Sequence, residues 1–496
     1  MQTIRTFHNN SFRLLRRLSG GLIFLAVGTV LLSAVIPLTR SLEPEVLTLY
    51  LGYDALLVFL AYSSFVLHKE KAYSSDASVF SVLRVTWFFL LSDDVMFGFG
   101  RLNALSSELQ GNFSSAAYGE VLLWVISAAI LAVISLSRTK ELVAALFTGT
   151  RRWMTLFLIL CIVSVAYSKA PAYSLAWSFK LGLDVWMVAL LSVCVHDESG
   201  IRSLLRTTAL SIGIVFVIAL LDIAIDPENA FAGGRLSGVA GPTVLSELGG
   251  LLLLISLVFF RLEKAKWTVP VAVLASVVML LGGGKIAIVA ALVSVGAFFA
   301  LQRKAGTGIL AVATLGFLAG CTLLVAPTGK YFTQYATSDQ ATTLTGRMVL
   351  WKAQWLEIQS RIVLGHGYMS SKFVPAPFKE GGWQVGSLHN AALDVLYNLG
   401  VVGLFGVVMM NYWIVRNLLH VRKHCSDGST LAIANFLIAI YLDLLIDSPF
   451  AVPFGGRPDA FFMVFLAVSV VSTMLRESES VNSKMPVVER MELLQI

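Results

Sequence analysis

From residue 20 to residue 475, apolar runs of roughly 16–25 residues alternate with short polar segments that carry most of the charge. Roughly 20 apolar residues at 1.5 Å rise per residue cross a hydrocarbon core about 30 Å thick. The pattern therefore predicts about fourteen membrane-spanning helices (12–14). They fall at 20–38, 46–67, 81–99, 117–136, 153–168, 172–195, 204–225, 243–260, 267–282, 285–302, 308–326, 391–415, 430–447 and 458–475. Asp93 and Asp94 interrupt the third, and the Gly-Gly-Gly-Lys sequence ending at Lys285 predicts a very tight turn or a broken helix. The alternation stops between 327 and 390, about 64 positions. Within that loop Arg347 to Ser360 reads as an amphipathic helix bearing Met348, Leu350, Trp351, Trp355 and Ile358. Tryptophan-bearing amphipathic helices favour a membrane interface, so this one is expected to lie on the membrane surface. The organisation that follows is an N-terminal set of transmembrane helices (1–150), a transmembrane core (151–326), the large loop (327–390), and C-terminal helices with a tail (391–496).

Composition agrees and narrows the choices. Apolar residues make up 57% and charged residues 14% of the 496, with a mean hydropathy of +0.79. A soluble domain has no interior for so much apolar surface, and a disordered chain would carry more charge. The net charge of +7 comes without a soluble basic domain, so nucleic acid is not an expected partner. The basic residues instead mark one side of the membrane. Lys69/Lys71, Arg138/Lys140/Arg151/Arg152, Arg202/Arg206, Arg261/Lys264/Lys266, Arg303/Lys304 and Arg416/Arg422/Lys423 fall in every second loop. Lysine and arginine gather in cytoplasmic loops, so both termini are expected inside and the 327–390 loop outside. Arg5, Arg13, Arg16 and Arg17 before the first apolar run read as an uncleaved signal-anchor. Cys161, Cys194, Cys321 and Cys425 show no metal or disulfide spacing and read as inert thiols.

The residues able to carry chemistry fall on the outer side. Arg235, in Gly-Gly-Arg-Leu-Ser-Gly, sits where glycine lets backbone amides approach an anion, although an arginine there also serves topology. Arg347 opens the amphipathic helix, where free N–H groups and a guanidinium suit an anion; a solvated charge is the simpler alternative. His389 stands before an apolar helix, and histidine is the side chain whose unperturbed titration falls near neutrality; Asn390 either orients it or caps that helix. Lys180 and Asp184, four residues apart inside a span, are either functional or a mutual ion pair. Asp443 and Asp447 sit one turn apart near an outer helix end, within reach of Arg457 or facing a polar cavity. No nucleotide or redox motif appears, so no cofactor is expected and no metal site is assigned.

His389-Asn390, nine residues, Gly400, two residues, Gly403 resembles the signature of the O-antigen ligase and Wzy-type polysaccharide polymerase family. Gly346-Arg347 with Trp351 resembles that family's loop motif, and Arg235-x-x-Gly238 its other arginine motif. The resemblance spans about residues 153–475. Members often carry Ser-Arg where this chain has Gly-Lys285; lysine keeps the charge but not the bidentate fork.

The resemblance implies a bacterial inner-membrane glycosyltransferase of the GT-C type. It would act on the periplasmic face, without metal and with inversion, on an undecaprenyl-pyrophosphate-linked glycan. His389 would be the general base, and Arg235 and Arg347 would hold the pyrophosphate. Asn390, Trp351, Lys180 and Lys285 complete the expected substrate-binding set. An acceptor glycan lipid is the second substrate, with a chain-length regulator and a flippase as further partners. The extra spans before residue 150 favour a polymerase of surface polysaccharide repeats. The alternatives are a ligase acting on lipid A-core and, from another class, a lipid-linked glycan flippase or transporter.

Overall fold

The structure, a computed structural model, describes residues 75–97, 115–195, 198–225, 230–237, 241–302, 316, 347–373, 388–425, 427–449 and 458–484. The expected signal-anchor, the spans at 20–38 and 46–67, nearly all of 308–326, much of the large loop, Arg457 and the end of the tail lie outside the described residues.

The chain divides into two compact units, residues 1–134 and 135–496. In the first, α1 (Ser75–Phe97) runs through Asp93 and Asp94 without a break and buries Leu83, Trp87 and Leu90. It is followed by α2 (Ser115–Leu136).

Among its described residues the second unit is helical apart from one short hairpin. Its elements are α3 (Thr139–Leu146), α4 (Arg151–Ser164) extended by a 3-10 turn (Val165–Tyr167), α5 (Pro171–Cys194) and α6 (Glu198–Ile225). The hairpin is β1 (Phe231–Ala232) and β2 (Arg235–Leu236). Then come α7 (Pro242–Glu263), α8 (Thr268–Gly282), α9 (Lys285–Leu301), α10 (Arg347–Ser360), a 3-10 turn (Ser370–Phe373), α11 (Ala391–His424), α12 (Gly428–Asp447) and α13 (Ala460–Lys484). Local chemistry sets the ends. Pro171 and Pro242 open α5 and α7, where a missing N–H costs nothing. Asp427 caps α12 by accepting from Thr430 N at 2.7 Å. Gly283 ends α8 in the left-handed region, so the Gly-Gly-Gly-Lys sequence is a tight turn.

Among the described residues six helices are long and apolar enough to cross a membrane: α5, α6, α7, α11, α12 and α13. The chain is thus an all-α polytopic membrane protein. Consecutive helices place alternating ends together. Ala391 N donates to Ser448 O, joining the start of α11 to the end of α12. Tyr368 N donates to Ser164 Oγ, and Lys169 N to His366 O, joining the end of α4 and the start of α5 to the segment after α10. At the other end, α4, α11 and α13 are tied by buried polar groups. Thr150 and Thr473 hydroxyls meet at 2.9 Å, and Asn417 Nδ2 donates to both, at 3.2 and 3.1 Å.

One junction governs the site. α11 breaks at Gly400, whose backbone (φ 65°, ψ −162°) is not helical. In an unbroken helix Val401 N would donate to Tyr397 O and Val402 N to Asn398 O. Here they donate to Ile362 O (2.8 Å) and Val363 O (3.3 Å), while Tyr397 O and Asn398 O accept from His366 N (2.9 Å) and Gly367 N (2.8 Å). The segment 362–367 is spliced into the hydrogen-bond ladder of α11. A Cβ at residue 400 would lie 2.2 Å from Val363 O, so only glycine fits both the positive φ and the close approach.

The splice docks α10 against the start of α11. Leu350 and Ile358 pack with Leu388 and Tyr397, flanked by Trp351, Leu393 and Leu396. Met348, Val349, Trp355 and Leu356 remain exposed on the other side. The helix is apolar on two faces, one against protein and one outward.

Candidate active site at the start of helix α11

His389 immediately precedes Asn390, the capping residue of α11, and lies between two backbone clamps. Asn390 Oδ1 accepts from Leu393 N at 3.0 Å and caps the helix, a contact worth about 1 kcal/mol. The other end of its carboxamide donates to Pro449 O at 3.3 Å. On the preceding side, Leu388 O accepts from Trp351 Nε1 at 2.8 Å, and Leu388 N donates to Asp394 Oδ1 at 3.3 Å. Asp394 is buried and also accepts from Asn398 Nδ2 at 3.3 Å; Asn398 in turn holds Ser371 N at 2.8 Å. His389 itself has φ 49°. A non-glycine residue in that region costs about 1–3 kcal/mol and persists only where its surroundings determine it. The clamps from α10, α11 and the 370–373 turn are those surroundings.

The electrostatics of this corner are lopsided. His389 keeps an exposed surface, yet its pKa is held down to about 4. Crowding by protein is the first cause, followed by the positive charges of Arg347 and Lys372. Arg347, the first residue of α10, also lies within electrostatic reach of Asp447 at the end of α12. The Asp447 carboxyl is hydrogen-bonded to that of Glu247 in α7. Asp443, one turn back, has an enclosed Oδ1 with no hydrogen-bond partner among the described residues. Cationic groups from α10 and the 370–373 turn thus face the histidine, with acidic groups from α7 and α12 behind them. Among the described residues no three His, Cys, Asp or Glu side chains gather so as to hold a metal ion.

The other expected site residues are placed as follows. Arg235 lies on β2 of the hairpin, paired with Ala232 across Gly233 and Gly234, both with positive φ. The two glycines serve a two-residue hairpin turn, which requires positive φ at both positions. This accounts for the glycine-rich setting without an anion. The hairpin packs on α7 and α8, the helices that end in the same layer as Glu247 and the Gly283 turn. Lys285 is the first residue of α9. Lys180 donates to both carboxylate oxygens of Asp184, at 2.8 and 3.0 Å, and both residues are fully buried, the ion-pair alternative. Trp351 spends its N–H on Leu388 and Asn390 its carboxamide on the helix cap, so both hold His389 in place.

Sequence reading missed Lys372, Asp394, Asn398, Glu247 and His366. His366 is buried, stacks on Tyr397 with ring centroids 4.6 Å apart, and bonds Glu357 O through Nε2 at 3.0 Å. Only the glycines on either side of it hinted at an unusual backbone.

Comparison with curated proteins finds no match. The family model described as O-antigen ligase matches residues 270–408. That stretch runs from α8 through α9, α10 and the splice into α11, and so contains Arg347, His389 and Gly400, while Arg235, Glu247 and Asp447 fall outside it. Residues 270–408 are thus similar to the O-antigen ligase family, over a little more than a quarter of the chain.

Proposed function

We propose that the chain transfers a glycan from an undecaprenyl-pyrophosphate donor to a sugar hydroxyl of a second lipid-linked repeat, polymerising a surface polysaccharide on the periplasmic side of the bacterial inner membrane. The observation that carries this reading is a neutral histidine, His389, clamped in a strained conformation beside Arg347. Neutral imidazole takes the proton of the acceptor hydroxyl as that oxygen bonds to the anomeric carbon. The bond from that carbon to the pyrophosphate breaks, and its electron pair leaves with the pyrophosphate. Arg347 meets that growing negative charge, and Arg235 on the β1–β2 hairpin is assigned to the same pyrophosphate. Displacement from the opposite face inverts the anomeric centre. Guanidinium groups supply the charge stabilisation that a metal ion would otherwise give, so transfer is expected to survive chelator.

A pKa of about 4 keeps His389 unprotonated but makes it a weak base. A bound pyrophosphate offsets the charges of Arg347 and Lys372, so the donor itself raises the basicity of the histidine. The exposed apolar side of α10, with Trp355 and Leu356, suits a lipid surface where the polyprenyl tail enters.

A second reading, ligation to lipid A-core, is favoured by the description of the matched family. Purified protein in proteoliposomes, supplied with lipid-linked repeats alone, separates the two. A polymerase yields a ladder of glycan lengths. A ligase yields product only when lipid A-core is added. No product with either acceptor removes both.

A further inference from the structure

Far from His389, three guanidinium groups converge on one indole. The guanidinium carbons of Arg416 (α11), Arg152 (α4) and Arg476 (α13) lie 4.5, 5.2 and 5.9 Å from the ring centroid of Trp413. None of the three has an acidic partner among the described residues; the nearby Glu477 pairs with Arg151 instead, at 3.4 Å. Two other arginines of the second unit do have acidic partners: Arg202 pairs with Glu198 at 2.9 Å and Arg206 with Glu263 at 2.6 Å.

Stacking on one indole offsets only part of the repulsion among three like charges. Their arrangement is nevertheless built in. Arg476 Nη1 donates to Asn417 Oδ1 at 3.0 Å, and Asn417 belongs to the buried Thr150–Asn417–Thr473 network that fixes the same three helices. Arg152 and Arg416 are exposed.

The surroundings identify what such a site would hold. Leu156 and Ile159 on α4, and Tyr412, Val415 and Leu419 on α11, present exposed apolar surface beside the arginines. From Val401, just past the break, to Arg416 is about 23 Å of unbroken helix, most of the roughly 30 Å hydrocarbon core, with His389 on the far side of the break. The cluster therefore lies at the membrane face opposite the His389 end. Tryptophan is favoured at headgroup depth. Concentrated positive charge, a tryptophan at that depth and adjoining apolar surface match a lipid with an anionic headgroup better than a soluble anion.

We propose that Arg152, Arg416 and Arg476, gathered around Trp413, bind the phosphate headgroup of an anionic phospholipid in the leaflet opposite the transfer site. Three positive charges suit a headgroup with two phosphates, such as that of cardiolipin, better than one with a single phosphate. The bound lipid bridges α4, α11 and α13, and so braces α11, whose other end carries His389.

Native mass spectrometry of the delipidated full-length protein, titrated with cardiolipin, phosphatidylcholine or inorganic phosphate, tests this. Cardiolipin is expected to bind at least tenfold more tightly than phosphatidylcholine. At about fivefold per charge, the triple variant Arg152→Gln/Arg416→Gln/Arg476→Gln should lose roughly 100-fold. The control Arg202→Gln/Arg206→Gln should lose little. If the triple variant does not fold, Arg416→Gln alone, at an exposed position without a hydrogen bond, should lose about fivefold. Equal binding of the two lipids, equal losses in site and control variants, or undiminished binding by Arg416→Gln overturns the proposal. Displacement of cardiolipin by millimolar phosphate would make this a free-anion site and overturn it as well.

Discussion

Lys180 and Asp184 lie one turn apart inside α5, fully enclosed, with the ammonium within 3.0 Å of both carboxylate oxygens. Arg347, Lys372 and His389 form the opposite kind of assembly. They come from α10, the 370–373 turn and the residue preceding the α11 cap, and place positive charge near positive charge around an exposed imidazole. The first group is neutral within a single helix and presents no net charge to a ligand. The second depends on the fold to hold like charges together, with Asp447 and Asp394 within electrostatic reach of Arg347 and Lys372. An intramembrane charge on its own suggests function; the contrast shows that the partner decides. A charge matched within its own turn reads as scaffold, whereas like charges brought together from several elements mark a place where the fold itself sets the electrostatics.

The largest effect should come from His389→Ala, a loss of roughly 10²–10⁴-fold in transfer rate with donor binding retained. His389→Asn, similar in shape but not basic, should fail as badly. Near-normal turnover of His389→Asn in a reconstituted transfer assay would reduce the histidine to a structural residue and erase the contrast.

Arg347→Lys keeps the charge and loses the planar fork. A loss of about 10²-fold in rate, in the range for removing one oxyanion-stabilising donor, is expected at unchanged protein level. Full activity would mean that bulk positive charge suffices.

The α5 pair predicts a different pattern. Lys180→Met alone strands a buried carboxylate and should destabilise the protein by about 3–5 kcal/mol, read as a lower thermal midpoint. Lys180→Met with Asp184→Leu should restore stability and leave transfer within about twofold of the unmodified protein, since replacing a buried pair by apolar groups is often neutral. A stable but inactive double variant would move Lys180 from scaffold to site.

The smallest effect is on pH dependence. Protonation removes the base, so activity falls as pH drops through the pKa of His389. In the free enzyme that pKa is about 4, so kcat/KM should be level down to about pH 5 and fall below it. With donor bound, the pyrophosphate offsets Arg347 and Lys372, so the acid limb of kcat should lie about one unit higher or more. Lys372→Met removes one positive neighbour and should raise the limb in kcat/KM toward that of kcat. Coincident limbs in the unmodified enzyme would show that donor binding does not tune the histidine.

Hydrophobic periodicity was enough to draw most of the described helices, because each must cover its backbone with apolar side chains. It also drew attention to Arg347, His389 and the Lys180–Asp184 spacing. What surrounds the histidine was far less legible. Lys372 and Glu247 reach the corner only through folding, and nothing in their neighbours along the chain marks them. Gly400 was visible as a spacing, but its reason lies in a strand of backbone more than thirty residues earlier. The glycines before Arg235 suggested an anion cradle and proved to be a hairpin turn, since positive φ serves either purpose. Trp351 and Asn390 were expected to touch substrate; their polar atoms were already claimed by backbone groups that no one-dimensional pattern displays.

The splice at Gly400 bears on how the protein is made. Until segment 362–367 is in place, Val401 N, Val402 N, Tyr397 O and Asn398 O lack the partners they have in the finished structure. Polar backbone groups without partners cost several kcal/mol each in hydrocarbon. The opening turns of α11 are therefore poorly disposed to enter the bilayer alone and are drawn toward the segment synthesised just before them. A ribosome that has delivered residue 402 has delivered both halves of the joint, so the backbone leading into α11 is set by the same event that seats the helix. Seating of α11 and placement of the loop are thus one step, and a chain that misplaces the loop leaves those four backbone groups without these partners.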